Sequence, residues 1–131
     1  MPQPDTSSPT VSSPDQARAL LAPLFAGAEA EKVAVLHLAD DRRLLALREY
    51  PGGAGDVELP LREVVSEALR LGTTSLIVAH NHPSGDADPS AEDLRVSRLL
   101  ADTARNLGIR LIDHLIFARE DVRSLRDLGL L

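Results

Sequence analysis

Residues 80–93 read His80-Asn81-His82-Pro83-Ser84-Gly85-Asp86-Ala87-Asp88-Pro89-Ser90-Ala91-Glu92-Asp93. Two histidines stand one residue apart, and a proline- and glycine-rich loop leads from them to a serine and a carboxylate. Two imidazoles and one carboxylate supply three ligands for a zinc ion and leave its fourth position open. An open position is what separates a catalytic zinc site from a structural one, whose four ligands all come from protein. The chemistry this stretch points to is therefore activation of water on a metal.

For those groups to meet, the elements around them must deliver them to one place. Ser75-Leu76-Ile77-Val78-Ala79 is an apolar run of strand length leading directly into His80. Side chains two apart on a strand share a face, so a strand continued to its edge projects His80 and His82 together and turns Asn81 away. Pro83 then forces the chain out of the sheet, and Gly85 is free to take a positive φ in the loop. The spacing predicts a helix from Ser90 to Gly108, with Asp93 in its first turn and Leu94, Leu99, Leu100, Ala104 and Leu107 turned inward. The same residues also make an ordinary helix start, with Ser90 as cap and Asp93 near the positive end of the dipole.

The rest of the chain alternates in the same way. Residues 1–12 have the composition of a disordered tail. Ser13-Pro14-Asp15-Gln16 reads as a helix start with Gln16 completing a capping box, and the helix over 13–30 should be disturbed near Pro23. Val33–Leu38 and Leu44–Glu49 read as a hairpin about a turn at Asp40-Asp41-Arg42, and Val57-Glu58-Leu59 as a short strand at most. Leu61 to Leu71 follows helical spacing and stops at Gly72. Ile109 to Ala118 is strand-like, and a Leu-rich segment closes the chain. Strands interleaved with two long helices give an α/β (α+β) sandwich around one sheet.

The spacing His-x-His-(x)10-Asp, with Ser90 at the serine position, resembles the JAMM motif of the JAB/MPN metalloprotease-like family. His80-Asn81-His82-Pro83-Ser84-Gly85-Asp86, Pro89-Ser90, Asp93 and the later Asp113-His114-Leu115-Ile116 resemble its RadC branch more narrowly. The likeness covers roughly residues 31–131. It implies a JAB/MPN-like (cytidine-deaminase-like) mixed sheet flanked by two main helices, and Zn2+ held by His80, His82 and Asp93. It implies a peptidase or isopeptidase in which a glutamate acts as general base and Ser90 donates a hydrogen bond to the tetrahedral oxyanion. Glu49, at the end of the second strand, is where the family places that base, and Glu58 is its rival. If Glu49 is instead a solvated strand-end carboxylate, zinc still binds with little or no hydrolysis. Asp113-His114 is read either as support for a zinc ligand or as a structural pair at a strand end, and His37 as a core or surface histidine.

Composition sets the limits. At 131 residues there is room for one domain, and 44% hydrophobic residues suffice for a core. The absence of cysteine excludes disulfides, thiolate zinc sites and the zinc deaminases, which need a Pro-Cys-x-x-Cys pair. A formal charge of −6 disfavours nucleic acid as a partner and leaves a peptide or protein substrate as the expected one. The alternative is an accessory or binding module associated with DNA repair, after the RadC resemblance. RadC proteins usually carry a helix-hairpin-helix region, which these thirty or so leading residues do not supply. No apolar run approaches the ~20 residues that span a bilayer, and no secretory signal pattern is present, so a cytoplasmic location is expected.

Overall fold

The computed structural model describes residues 8–52 and 59–131. Among the described residues five strands form one mixed sheet in the order β2-β1-β3-β4-β5. They are β1 (Lys32–Leu38), β2 (Leu44–Pro51), β3 (Ser75–Asn81), β4 (Arg110–Ala118) and β5 (Asp121–Ser124), interleaved with helices α1 (Pro14–Phe25), α2 (Leu61–Leu71) and α3 (Ala91–Asn106). β1 and β2 make the expected antiparallel hairpin, and β1 also pairs antiparallel with β3. β3 and β4 are parallel, so the chain must cross over between them, and α3 is that crossover.

The sheet has two covered faces because its strands are apolar on both sides. On one face Leu21 and Phe25 of α1 pack against Ala34, Leu36, Ala79 and Phe117. On the other, Val64 and Ala68 of α2 and Leu100 and Ala104 of α3 pack against Val33, Val35 and Val78. Leu21, Leu36 and Leu115 are at most 1% exposed, and burial of each such side chain contributes about 1.5–3 kcal/mol. The register Lys32↔Pro51, Val33↔His80 and His80↔Ile116 brings the start of β1 and the ends of β2, β3 and β4 to a single edge of the sheet.

Several sequence expectations need correction. Val11 is only 2% exposed: its N–H bonds to Arg42 and Leu44 bonds back to Pro9, so residues 9–11 join the fold. Helix α1 runs through Pro23 and ends two residues later at Phe25, short of residue 30; Pro23 has no N–H to give the helix ladder. Ser13 caps α1 as expected, but Gln16 reaches back to the N–H of Ser12 rather than that of Ser13. In α3 the inward residues are Asp93, Ser97, Leu100 and Ala104, while Leu99 and Leu107 are 47% and 45% exposed. Leu59 has no regular structure, and the remainder of the expected strand at Val57-Glu58 lies outside the described residues.

Candidate metal centre

β3 carries the apolar run Leu76-Ile77-Val78-Ala79 and ends in His80 and Asn81. The N–H of His82 still bonds to the carbonyl of Phe117, so the strand geometry persists one residue further and keeps His82 on the side of His80. Asn81 faces the other way. Its side chain accepts from the N–H of Lys32 and donates to the carbonyl of Ala30, tying the end of β3 to the start of β1. After Pro83 the chain turns through Gly85, at φ 92°, and returns the carbonyl of Asp86 to within 2.7 Å of His82 Nδ1.

Asp93 arrives from α3. A reciprocal capping box holds it: Asp93 N–H donates to Ser90 Oγ at 3.0 Å, and Ser90 N–H donates to Asp93 Oδ2 at 2.8 Å. The cap thus does two things at once, satisfying free helix donors and fixing the carboxylate's orientation.

The result is a cluster of three ligand-type side chains. His80 Nε2 is 3.0 Å from His82 Nε2 and 3.3 Å from Asp93 Oδ1, and His82 Nε2 is 3.1 Å from Asp93 Oδ2. Two ligands each 2.0–2.1 Å from a tetrahedral zinc stand about 3.3 Å apart, so these separations fit. The hydrogen bonding fits as well. A carbonyl only accepts, so His82 carries its proton on Nδ1 and presents a lone pair at Nε2. His80 Nδ1 is 2.6 Å from His114 Nε2, and a proton there frees His80 Nε2 in the same way. Three electron pairs converge on one point, an arrangement that a cation relieves. His80 and Asp93 are buried, and only His82, 16% exposed, opens the cluster to solvent.

Glu49 is not part of this cluster. It pairs across the hairpin with Ala34, which pairs with Ala79, so Glu49 lies on the α1 face while His80 lies on the α3 face with Val33. There it is 46% exposed and makes an ion pair with Lys32 at 3.3 Å. On the face of His80, the neighbouring positions of β2 are Arg48 and Tyr50. Among the described residues the cluster has no carboxylate besides Asp93, and Glu58 lies outside them.

Asp113 and His114 divide between the two faces. Asp113 accepts from the hydroxyl of Ser124 and from the N–H groups of His114 and Arg126, and so pins the C-terminal segment. His114 lies behind His80, and its Nδ1 meets the hydroxyl of Ser97. Burial, reinforced by the neighbouring His80, holds the His114 ring neutral. Ser97 carried no signal in the sequence beyond standing four residues after Asp93, on the same side of α3. His37 is a core residue, paired with Thr73 Oγ1 at 2.9 Å.

Residues 11–130 match the model of the RadC-like JAB domain family. The chain is 42% identical over 117 residues to a UPF0758 protein of Picosynechococcus sp., covering 88% of this chain and 48% of that protein. It is 34% identical over 120 residues to a UPF0758 protein of Photorhabdus laumondii, covering 91% and 52%. The chain therefore belongs to the RadC-like JAB domain family, and it spans about half the length of the curated relatives it matches. The match begins at residue 11, so it takes in α1 as well as the sheet. Among the described residues no helix is long and apolar enough to cross a membrane.

Proposed function

We propose that this domain is a zinc-dependent hydrolase of amide bonds, a peptidase or isopeptidase. The observation that carries the reading is the convergence of His80 Nε2, His82 Nε2 and Asp93 at zinc-ligand separations, with one open side. When bound, zinc supplies Lewis acidity and makes hydroxide available near neutral pH. The chain's own residues do the rest. His80, His82 and Asp93 hold the ion. Ser90 Oγ already accepts from the Asp93 N–H, which leaves its own O–H to donate to the carbonyl oxygen of a substrate amide as negative charge develops there.

The placement of Glu49 favours a second reading, a zinc-holding accessory module with little or no hydrolysis. Zinc-loaded protein offered a fluorogenic peptide library separates the two. Turnover that is lost with chelator and with His82→Ala, and reduced about 10²–10³-fold in Ser90→Ala, supports the hydrolase. Stoichiometric zinc with no turnover of any library member supports the accessory module.

A further inference from the structure

A histidine that binds a metal through one ring nitrogen usually donates from the other to a carboxylate, a backbone carbonyl or water, and that partner fixes its tautomer. His82 follows this pattern through the carbonyl of Asp86. His80 does not. Its Nδ1 faces the Nε2 of a third histidine, His114, and the rings meet edge to face with centroids 4.7 Å apart. All three members of this chain are buried: His80 is 0% exposed, Ser97 1% and His114 2%.

We infer that His114, oriented by Ser97, is the positioning residue that sets His80 in its metal-binding tautomer. The inference rests on the zinc reading of the site and adds to it how the buried ligand is prepared. The register Val78↔His114 places His114 on the same sheet face as His80, one strand over and one step deeper. Helix α3 closes the arrangement from above, supplying Asp93 to the metal cluster and Ser97, four residues on, to His114 Nδ1. The direction of donation follows from the metal end, since the Ser97 hydroxyl serves equally as donor or acceptor. With His80 Nε2 free for metal, Nδ1–H donates to His114 Nε2, and His114 Nδ1–H donates to Ser97 Oγ. A neutral imidazole is a weaker acceptor than a carboxylate, so the chain orients His80 without the gain in ligand basicity that a carboxylate partner gives.

Two measurements on the full chain test this, one of them independent of metal. The first is the imidazole nitrogen–proton correlation spectrum of metal-free protein at pH 8. Free neutral histidine favours the proton on Nε2, whereas His80 is expected to carry it on Nδ1 in the wild type and to lose that preference in His114→Ala. The second is zinc affinity by competition with a chromophoric chelator. His114→Ala is expected to bind zinc about 10–100-fold more weakly. His114→Gln, whose side-chain carbonyl accepts from the same direction, should recover most of the loss, and Ser97→Ala should show a smaller one. A His80 spectrum with the proton on Nε2 in the wild type, or zinc affinity unchanged in a folded His114→Ala, overturns the inference. A wild type that shows the Nδ1 proton but takes up no zinc defeats the metal reading while leaving the role of His114 in setting the tautomer supported.

Discussion

Asp93→Asn separates the metal site from the helix cap that shares its residue. In the variant, the amide oxygen can stand where Oδ2 now accepts from the Ser90 N–H, which preserves that half of the capping box. The amide nitrogen then occupies the place of Oδ1, 3.3 Å from His80 Nε2, and donates to its lone pair. One new hydrogen bond contributes about 1 kcal/mol. Loss of a negative charge from the first helical turn costs about 0.3–1 kcal/mol. The two nearly cancel, so metal-free Asp93→Asn should melt within about 4 °C of metal-free wild type, taking roughly 4 °C per kcal/mol for a domain of this size. Metal tells the two apart. Zinc at a hundredfold excess over its Kd adds about 2.7 kcal/mol to a protein that binds it only when folded, or roughly 10 °C for the wild type, and next to nothing for the variant. Circular dichroism melts at pH 8, with chelator and with zinc, read both quantities. A zinc-induced rise in the variant equal to that of the wild type would refute the ligand assignment. A metal-free variant melting far below the wild type would show instead that Asp93 is chiefly a structural cap.

Three further outcomes are expected. Glu49→Gln should leave zinc content unchanged and shift stability by no more than about 1 kcal/mol, because the Lys32 pair is half exposed; loss of zinc in this variant would place Glu49 in the cluster after all. Gly85→Ala forces an L side chain to φ 92°, at a cost of about 1–2 kcal/mol. Because that turn aims the Asp86 carbonyl at His82, chelator competition should also report weaker zinc binding. His37 has its pKa lowered from 6.5 to about 4 by burial, opposed by Glu67 and reinforced by Arg48 and Arg70, while Thr73 accepts or donates at Nδ1. The unfolded chain takes up a proton near pH 6.5 that the folded one refuses until about 4. The His37 contribution is therefore complete above pH 6.5 and declines as pH falls, by roughly 2–3 kcal/mol at pH 4.5. Urea midpoints at pH 7 and 4.5 should show that much less pH dependence in His37→Gln than in the wild type.

What the sequence made legible was local. The alternation of His80 and His82, the glycine stop at Gly72 (φ 70°) and the Ser90–Asp93 cap each depend on a few neighbouring residues, and each stands as read. What it concealed depends on register and on tertiary partners. Whether Glu49 faces the metal cluster is decided by two strand pairings, Ala34↔Glu49 and Ala34↔Ala79, that join residues far apart in the chain. The buried stripe of α3 was misjudged for a related reason. Ser97 and Asp93 turn inward because their partners are His114 and the histidine cluster, so hydrophobicity alone favoured Leu99 and Leu107. Val11 sits in a stretch of tail-like composition, yet a bridge between Thr10 and Arg43 carries it into the core. β5 was missed because Asp121–Ser124 is polar and owes its strand form to pairing with β4.

His80, His82 and Asp93 are proposed to hold one zinc ion together. Elemental analysis of the full chain after zinc loading and exhaustive dialysis, beside His80→Ala, tests it most directly. About one zinc per wild-type chain and almost none in the variant are expected. A wild type that retains no zinc, or a variant that retains as much as the wild type, would contradict it.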